Sequence, residues 1–84
     1  MSRYFGNGIL IQVELDGAEQ PLLFVWRQYP YPIDQITNHW RVDTEWWRSQ
    51  ISREYFEVIT RSGLWVVIYR DRLTDTWFMQ RLYD

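Results

Sequence analysis

The last third of the chain is apolar on both faces of what read as consecutive strands, and this limits the fold more than any other feature. Residues 53–60, 64–70 and 76–83 are rich in β-branched and aromatic side chains, as strands are. Arg61-Ser62-Gly63 separates the first two, with Gly available for positive φ, and residues 71–75 make a second turn. The pattern predicts a three-stranded antiparallel meander. One row holds Tyr55, Ile59, Leu64, Val66, Ile68, Phe78 and Leu82; the other holds Phe56, Val58, Trp65, Val67, Tyr69, Trp77, Met79 and Tyr83. A sheet with one wet face shows polar residues along one row, and neither row here is polar. Two arrangements satisfy that pattern. The sheet curls into a small barrel with its second row partly covered by an N-terminal hairpin, or that row stands as an exposed aromatic platform that binds something. Some of each is expected.

Upstream, residues 8–15 alternate Ile9, Ile11, Val13 and Leu15 with Leu10, Gln12 and Glu14, a strand with one strongly apolar row. Asp16-Gly17 follows as a turn pair in which Gly accepts positive φ. Residues 22–28 form a second strand, with Leu22, Phe24 and Trp26 on one side. Tyr29-Pro30-Tyr31-Pro32 breaks the pattern, because proline lacks an N–H and restricts its predecessor; a loop or sheet edge fits there. Residues 33–42 read as a bent strand carrying Ile36, Trp40 and Val42. Residues 44–52 read as one short helical turn or a loop. Residues 1–7 read as a flexible lead-in. The fold class is therefore all-β and mainly antiparallel: a small curled sheet or partly open barrel of five to six strands, with at most one short helical turn.

Eighty-four residues accommodate one domain, 1–84. A chain of this size hides only about 60% of its unfolded surface, so its core is limited. Such a chain gains stability by burying a sheet face or edge in a homodimer. No cysteine is present, which excludes disulfides and thiolate chemistry, and the single histidine excludes a multi-histidine metal site. No apolar run approaches the ~20 residues of a membrane span, and the start shows no signal-peptide core. A cytoplasmic protein without membrane association is the expectation. Aromatic residues are 19% of the chain, and all nine basic residues are arginine. Both types are enriched where proteins meet partners.

The residue types that carry chemistry are sparse. Asp43 and Glu45 share a strand face, but no further ligands accompany them to hold a divalent cation. His39 has no recognisable nucleophile partner and reads as a structural histidine. No glycine-rich phosphate loop appears. The expectation is a non-enzyme with no cofactor and no metal. Trp40-Arg41 with Trp46-Trp47-Arg48 is the densest aromatic–arginine group, and Tyr69-Arg70 and Trp77 echo it. Trp40, Arg41, Trp46, Trp47, Arg48, Tyr69 and Trp77 are thus the candidate binding residues. They suit a small core, a protein-binding patch, or a single-stranded nucleic-acid platform in which bases stack on rings. The net charge of −2, and Asp43 and Glu45 between the two Trp–Arg elements, weigh against nucleic acid.

An ordered series runs from Trp40 to Asp84. It reads Trp40-Arg41-x-Asp43-x-x-Trp46-Trp47, then Ile51-Ser52-Arg53-x-Tyr55-Phe56-x-Val58. After Gly63 come Tyr69-x-Asp71 and Trp77-Phe78-x-Gln80-x-x-Tyr83-Asp84. This series resembles the C-terminal domain appended to the inactive Y-family polymerase homologue of bacterial mutasomes, and short stand-alone bacterial proteins similar to it. Phe24-x-Trp26-Arg27 with Ile33-x-x-Ile36 looks like the upstream hairpin of that domain, so the resemblance covers most of residues 22–84. It implies an interaction module without catalytic residues, in the setting of DNA damage tolerance and translesion synthesis. The implied partner is a protein of the mutasome or a polymerase component. Single-stranded nucleic acid bound on an aromatic and arginine sheet face is the alternative.

Overall fold

A computed structural model describes residues 2–46 and 49–83, with side chains over 4–6, 8–44 and 50–83. Its six strands are β1 (Ser2–Leu15), β2 (Pro21–Trp26), β3 (Tyr29–Trp46), β4 (Ser49–Thr60), β5 (Trp65–Asp71) and β6 (Thr76–Tyr83). Each pairs antiparallel with the next, and β6 pairs with β1 to close a barrel. The all-β reading and the C-terminal meander hold, and the partly open barrel is closed. No helix among the described residues is long and apolar enough to cross a membrane.

Closure uses the segment expected to be a flexible lead-in. Ser2, Arg3 and Tyr4 lie opposite Tyr83, Leu82 and Arg81. Between Tyr4 and Ile9 the register shifts, and Gly6 and Gly8 there take φ of 62° and 99°. The same level of β6 carries its own irregularity. Ile68 faces Met79 while Val67 faces Arg81, so Gln80 is an extra residue in the ladder.

That bulge, with the pairing of β4 to β5, corrects the two rows expected from alternation. Tyr55 lies opposite Tyr69, and Phe56 lies opposite Ile68. Opposite residues share a face, so Phe56 and Val58 join Val66 and Ile68 inside the barrel. Trp77 and Met79 join them there, and past Gln80 the phase flips so that Leu82 also points in. Ile11 and Phe24 complete this core from β1 and β2, with Ile9, Val13, Leu15 and Trp26 packed against it. Leu22 does not share the face of Phe24. Leu15 pairs with Pro21, which shifts the register, and leaves Leu22 exposed. Tyr55, Val67 and Tyr69 form a second cluster on the outside, with Phe78 and Tyr83 packed against it.

Three local expectations also change or sharpen. The Asp16 turn is held by its carboxylate, which accepts from the Ala18 and Gln20 N–H groups at 2.8 and 3.0 Å. Its positive φ falls on Glu19, not Gly17. Tyr29 to Pro32, expected as a loop or sheet edge, is the edge: a strand in register with β2, with β4 in register only from Ile33, and the chain reverses at Arg27-Gln28, both at positive φ. That is a two-residue primed turn, whose twist suits a hairpin. The prolines fit because the Pro32 carbonyl accepts from the Arg61 N–H, so the side of Pro32 that lacks a donor faces away from β2. Finally, residues 43–46 pair with 49–52, so described residues within 44–52 are strand where a helical turn or loop was expected. The turn over 61–63 forms as expected, with Gly63 at φ 92°.

Gln28 holds a left-handed conformation without being glycine, so Gln28→Gly is expected to stabilise the fold by about 1 kcal/mol. Thermal unfolding checks this; a lower melting temperature would contradict the assigned turn.

Candidate interaction surface

The outer face is organised as rows of residues that lie opposite one another across successive strands. One row runs Trp40, Tyr55, Tyr69, Phe78, Leu10. Its rings form a continuous ladder. Trp40 stacks parallel on Tyr55 at 5.3 Å, Tyr55 contacts Tyr69 at 5.1 Å, and Tyr69 stacks on Phe78 at 5.2 Å. Such cross-strand aromatic pairs stabilise a sheet by about 0.5–1.5 kcal/mol each beyond their buried area. The Arg53 guanidinium covers the Tyr69 ring at 4.7 Å and donates to the Tyr55 hydroxyl at 3.3 Å. That bond to Tyr55 raises the pKa of Arg53. Burial pushes the Tyr69 hydroxyl above the ordinary tyrosine range. The centre of the ladder is therefore sealed, and its Trp40 end is open.

Trp40 lies on the long β3–β4 hairpin. β4 is in register with β5 only from Arg53 onward; beyond that, residues 43–46 pair with 49–52, and the Arg72 N–H donates to the Ser52 carbonyl at 2.9 Å. Alternation puts Trp40, Val42 and Thr44 on one face with Tyr55, Arg53 and Ile51 opposite them. Trp40 and Val42 are each 37% exposed and Ile51 is 36% exposed. A shallow recess of about 250 Å³ adjoins this row, walled by Tyr4, Trp40 and Tyr83, with Glu57 and Arg81 also lining it. Arg81 lies over the Tyr4 ring at 5.2 Å and the Tyr83 ring at 5.7 Å.

The opposite face of the hairpin is polar. His39 stacks on Phe56 at 4.3 Å, and its Nε2 lies 2.8 Å from Glu54. Arg41 pairs with Asp43 at 2.6 Å, and the Ser52 hydroxyl donates to Asp43 at 2.8 Å. Ser52 first, then Arg41, hold the Asp43 carboxyl below its ordinary value. A carboxylate so stabilised accepts protons weakly at neutral pH, which makes it a poor general base. Glu54 also lines a polar recess of about 400 Å³ with Glu19, Gln20, Arg70, Arg72 and Asp75. Among the described residues no group of three or more His, Cys, Asp or Glu is placed to hold a metal ion.

The candidate binding residues from sequence are thus divided. Trp40 lies on the open face, and Arg41 lies on the opposite face of the same hairpin. Tyr69 is 2% exposed within the ladder, and Trp77 is 7% exposed in the barrel core. An exposed patch around Trp77 is therefore corrected: its ring meets Phe56 at 5.6 Å, inside. Trp46 is in β3, and its side chain lies outside the described ones; Trp47 and Arg48 lie outside the described residues altogether. Sequence reasoning missed Ile51, Arg53 and Tyr55 as neighbours of Trp40, and did not place Val42 with it on the surface. The signal was the alternation of 40, 42 and 44, which becomes a surface only once β4 is in register.

Comparison with known proteins adds a family and no function. No curated protein and no solved structure matches the chain. A family model described as a domain of unknown function, DUF6504, matches residues 1–84. Because that match spans every strand of the barrel and the hairpin that carries Trp40, this chain belongs to the DUF6504 family.

Proposed function

We propose that this chain is a non-catalytic protein-interaction module whose contact surface is the outer face of the β3–β4 hairpin. The observation that carries the reading is the exposed row of Trp40, Val42 and Ile51 on a hairpin that extends beyond the barrel core. Tryptophan is among the residues that dominate binding hot spots, and the Tyr55–Tyr69–Phe78 ladder backs Trp40 rigidly. The likeness of the sequence to the mutasome-associated domain supplies the partner class: a protein component of bacterial translesion synthesis. A protein is favoured over nucleic acid because five of the described arginines are engaged within the chain. Arg41 and Arg70 are ion-paired, and Arg27, Arg53 and Arg81 lie over the chain's own rings.

Purified chain is expected to co-elute with one of the mutasome proteins, and Trp40→Ala is expected to weaken that affinity roughly tenfold or more. Retention by none of them, or undiminished binding by the variant, would reject the reading. Fluorescence anisotropy with single-stranded DNA would redirect it to nucleic acid if affinity at low salt falls steeply as salt rises.

A further inference from the structure

The β3 strand has a free backbone edge that is complementary to itself. β2 pairs with β3 only over residues 29–32, while β4 pairs with it along its length to Trp46. From residue 34 onward, no described strand occupies the other side of β3. Register shifts fall between Ile33 and Gln35 and between Ile36 and Asn38, so residues 38–46 form its regular stretch. Val42 is the midpoint of that stretch. The His39 N–H bonds to the side chain of Asn38 at 2.9 Å, and Phe56 opposite it shares the backbone side of Ser52, whose carbonyl turns away from β3 to accept from Arg72, so the His39 backbone belongs to the open side. Alternation then turns the backbone groups of 41, 43 and 45 to the same side. Edges of this kind are ordinarily blunted by proline, a bulge or charged side chains; residues 38–46 contain no proline and no bulge, and their charges block pairing only where like charges meet.

The charges along this edge run from basic to acidic: His39, Arg41, Asp43, Glu45. We propose that two copies of the chain pair antiparallel along this edge, with the two-fold axis at Val42. That register sets Arg41 opposite Asp43 of the second copy, twice by symmetry, so that the Arg41–Asp43 pairs already formed within each chain at 2.6 Å join into one four-charge network, and it sets position 39 opposite position 45. Moving the axis to residue 41 or 43 puts Arg41 against Arg41 or Asp43 against Asp43, which is destabilising across a strand pair. Residues 39, 41, 43 and 45 then each form a hydrogen-bonded pair with the second copy, roughly eight backbone bonds in total. Val42 meets Val42 in a close pair without backbone bonds. The joined sheet places the Trp40 and Val42 rows of the two copies side by side on one face. This goes beyond the partner reading, because it is carried by the unpaired backbone edge and the order of charges along it, and it leaves the joined Trp40 rows open on one face.

The chain has no cysteine, so Val42→Cys introduces a unique thiol at the axis. Opposed Cα atoms there lie about 4.5 Å apart, within disulfide reach, whereas two residues at position 44 are separated by about four residues of strand rise. Under mild oxidation Val42→Cys is expected to form covalent dimers rapidly, and Thr44→Cys is not. In light scattering after size exclusion, wild type is expected to be dimeric. Arg41→Asp and Asp43→Arg should each weaken dimerisation roughly tenfold or more. Mixing those two variants should restore the dimer as a heterodimer detectable by native mass spectrometry. A monomeric wild type at high concentration, equal cross-linking at positions 42 and 44, or no recovery on mixing would each overturn the proposal. Trp40→Ala, which tests the partner surface, should leave the difference between Val42→Cys and Thr44→Cys intact.

Discussion

Gly8→Ala is expected to destabilise the protein by about 3–4 kcal/mol, against about 1 kcal/mol for Gly6→Ala. Both glycines hold positive φ in the β1 irregularity, so both changes force a left-handed conformation on alanine. They differ in what the new methyl meets. At Gly6 nothing lies within 4 Å; at Gly8 the added carbon would sit 2.8 Å from Phe78 Cβ and 3.2 Å from Tyr69 Cε2. Phe78 Cβ is bonded to the backbone of β6 and cannot turn aside. Tyr69 is held by Tyr55, Phe78 and Arg53. The overlap must therefore be relieved by moving β1 away from β6, at the seam that closes the barrel. For a domain of this size each kcal/mol moves the melting temperature by about 4–8 °C, so the two variants should separate by more than 8 °C. Equal melting temperatures would show that β1 does not approach the ladder so closely. Because the ladder supports Trp40, Gly8→Ala should also loosen the proposed contact surface without touching it.

Trp77→Ala is expected to cost about 3–5 kcal/mol, a large share of the roughly 4–12 kcal/mol that a chain of this length has. Its ring is buried among Phe56 and the inner aliphatic residues, with the Arg70 guanidinium 5.9 Å from its centroid. Removing it leaves a void that a closed barrel cannot readily collapse to fill. Trp40→Ala removes one exposed stacked ring and is expected to cost about 1 kcal/mol. Urea unfolding followed by circular dichroism measures both. If Trp77→Ala kept the wild-type midpoint, the tryptophan would belong on the surface and the face assignment of β6 would be reversed. Trp77→Phe, which keeps most of the apolar volume, should recover much of the lost stability.

The two tryptophans mark how far the sequence could be read. Alternation located all three strands of the meander, and Thr76–Tyr83 coincides with β6 to the residue. It could not say which row lies inside, because both rows are apolar and the period is the same for either choice. The inserted Gln80 then reverses the phase within one strand, with no local mark in the sequence. The proline segment reads from sequence as a loop or a sheet edge, and the choice between them stays open for a related reason. A missing N–H matters only on the side where a neighbouring strand needs it, and that side is known only from the pairing with β2.

Local patterning was enough to locate the strands of the C-terminal meander, the apolar row of β1, the Gly63 turn and the all-β class. These depend on side chains at neighbouring positions, and that information is local. Tertiary structure decided which ring faces the core, that residues 2–4 seal the barrel, and that Trp40, Val42 and Ile51 share an open face beside an unpaired edge. Those outcomes depend on register between segments far apart in the chain, and a shift of one residue in register exchanges inside for outside.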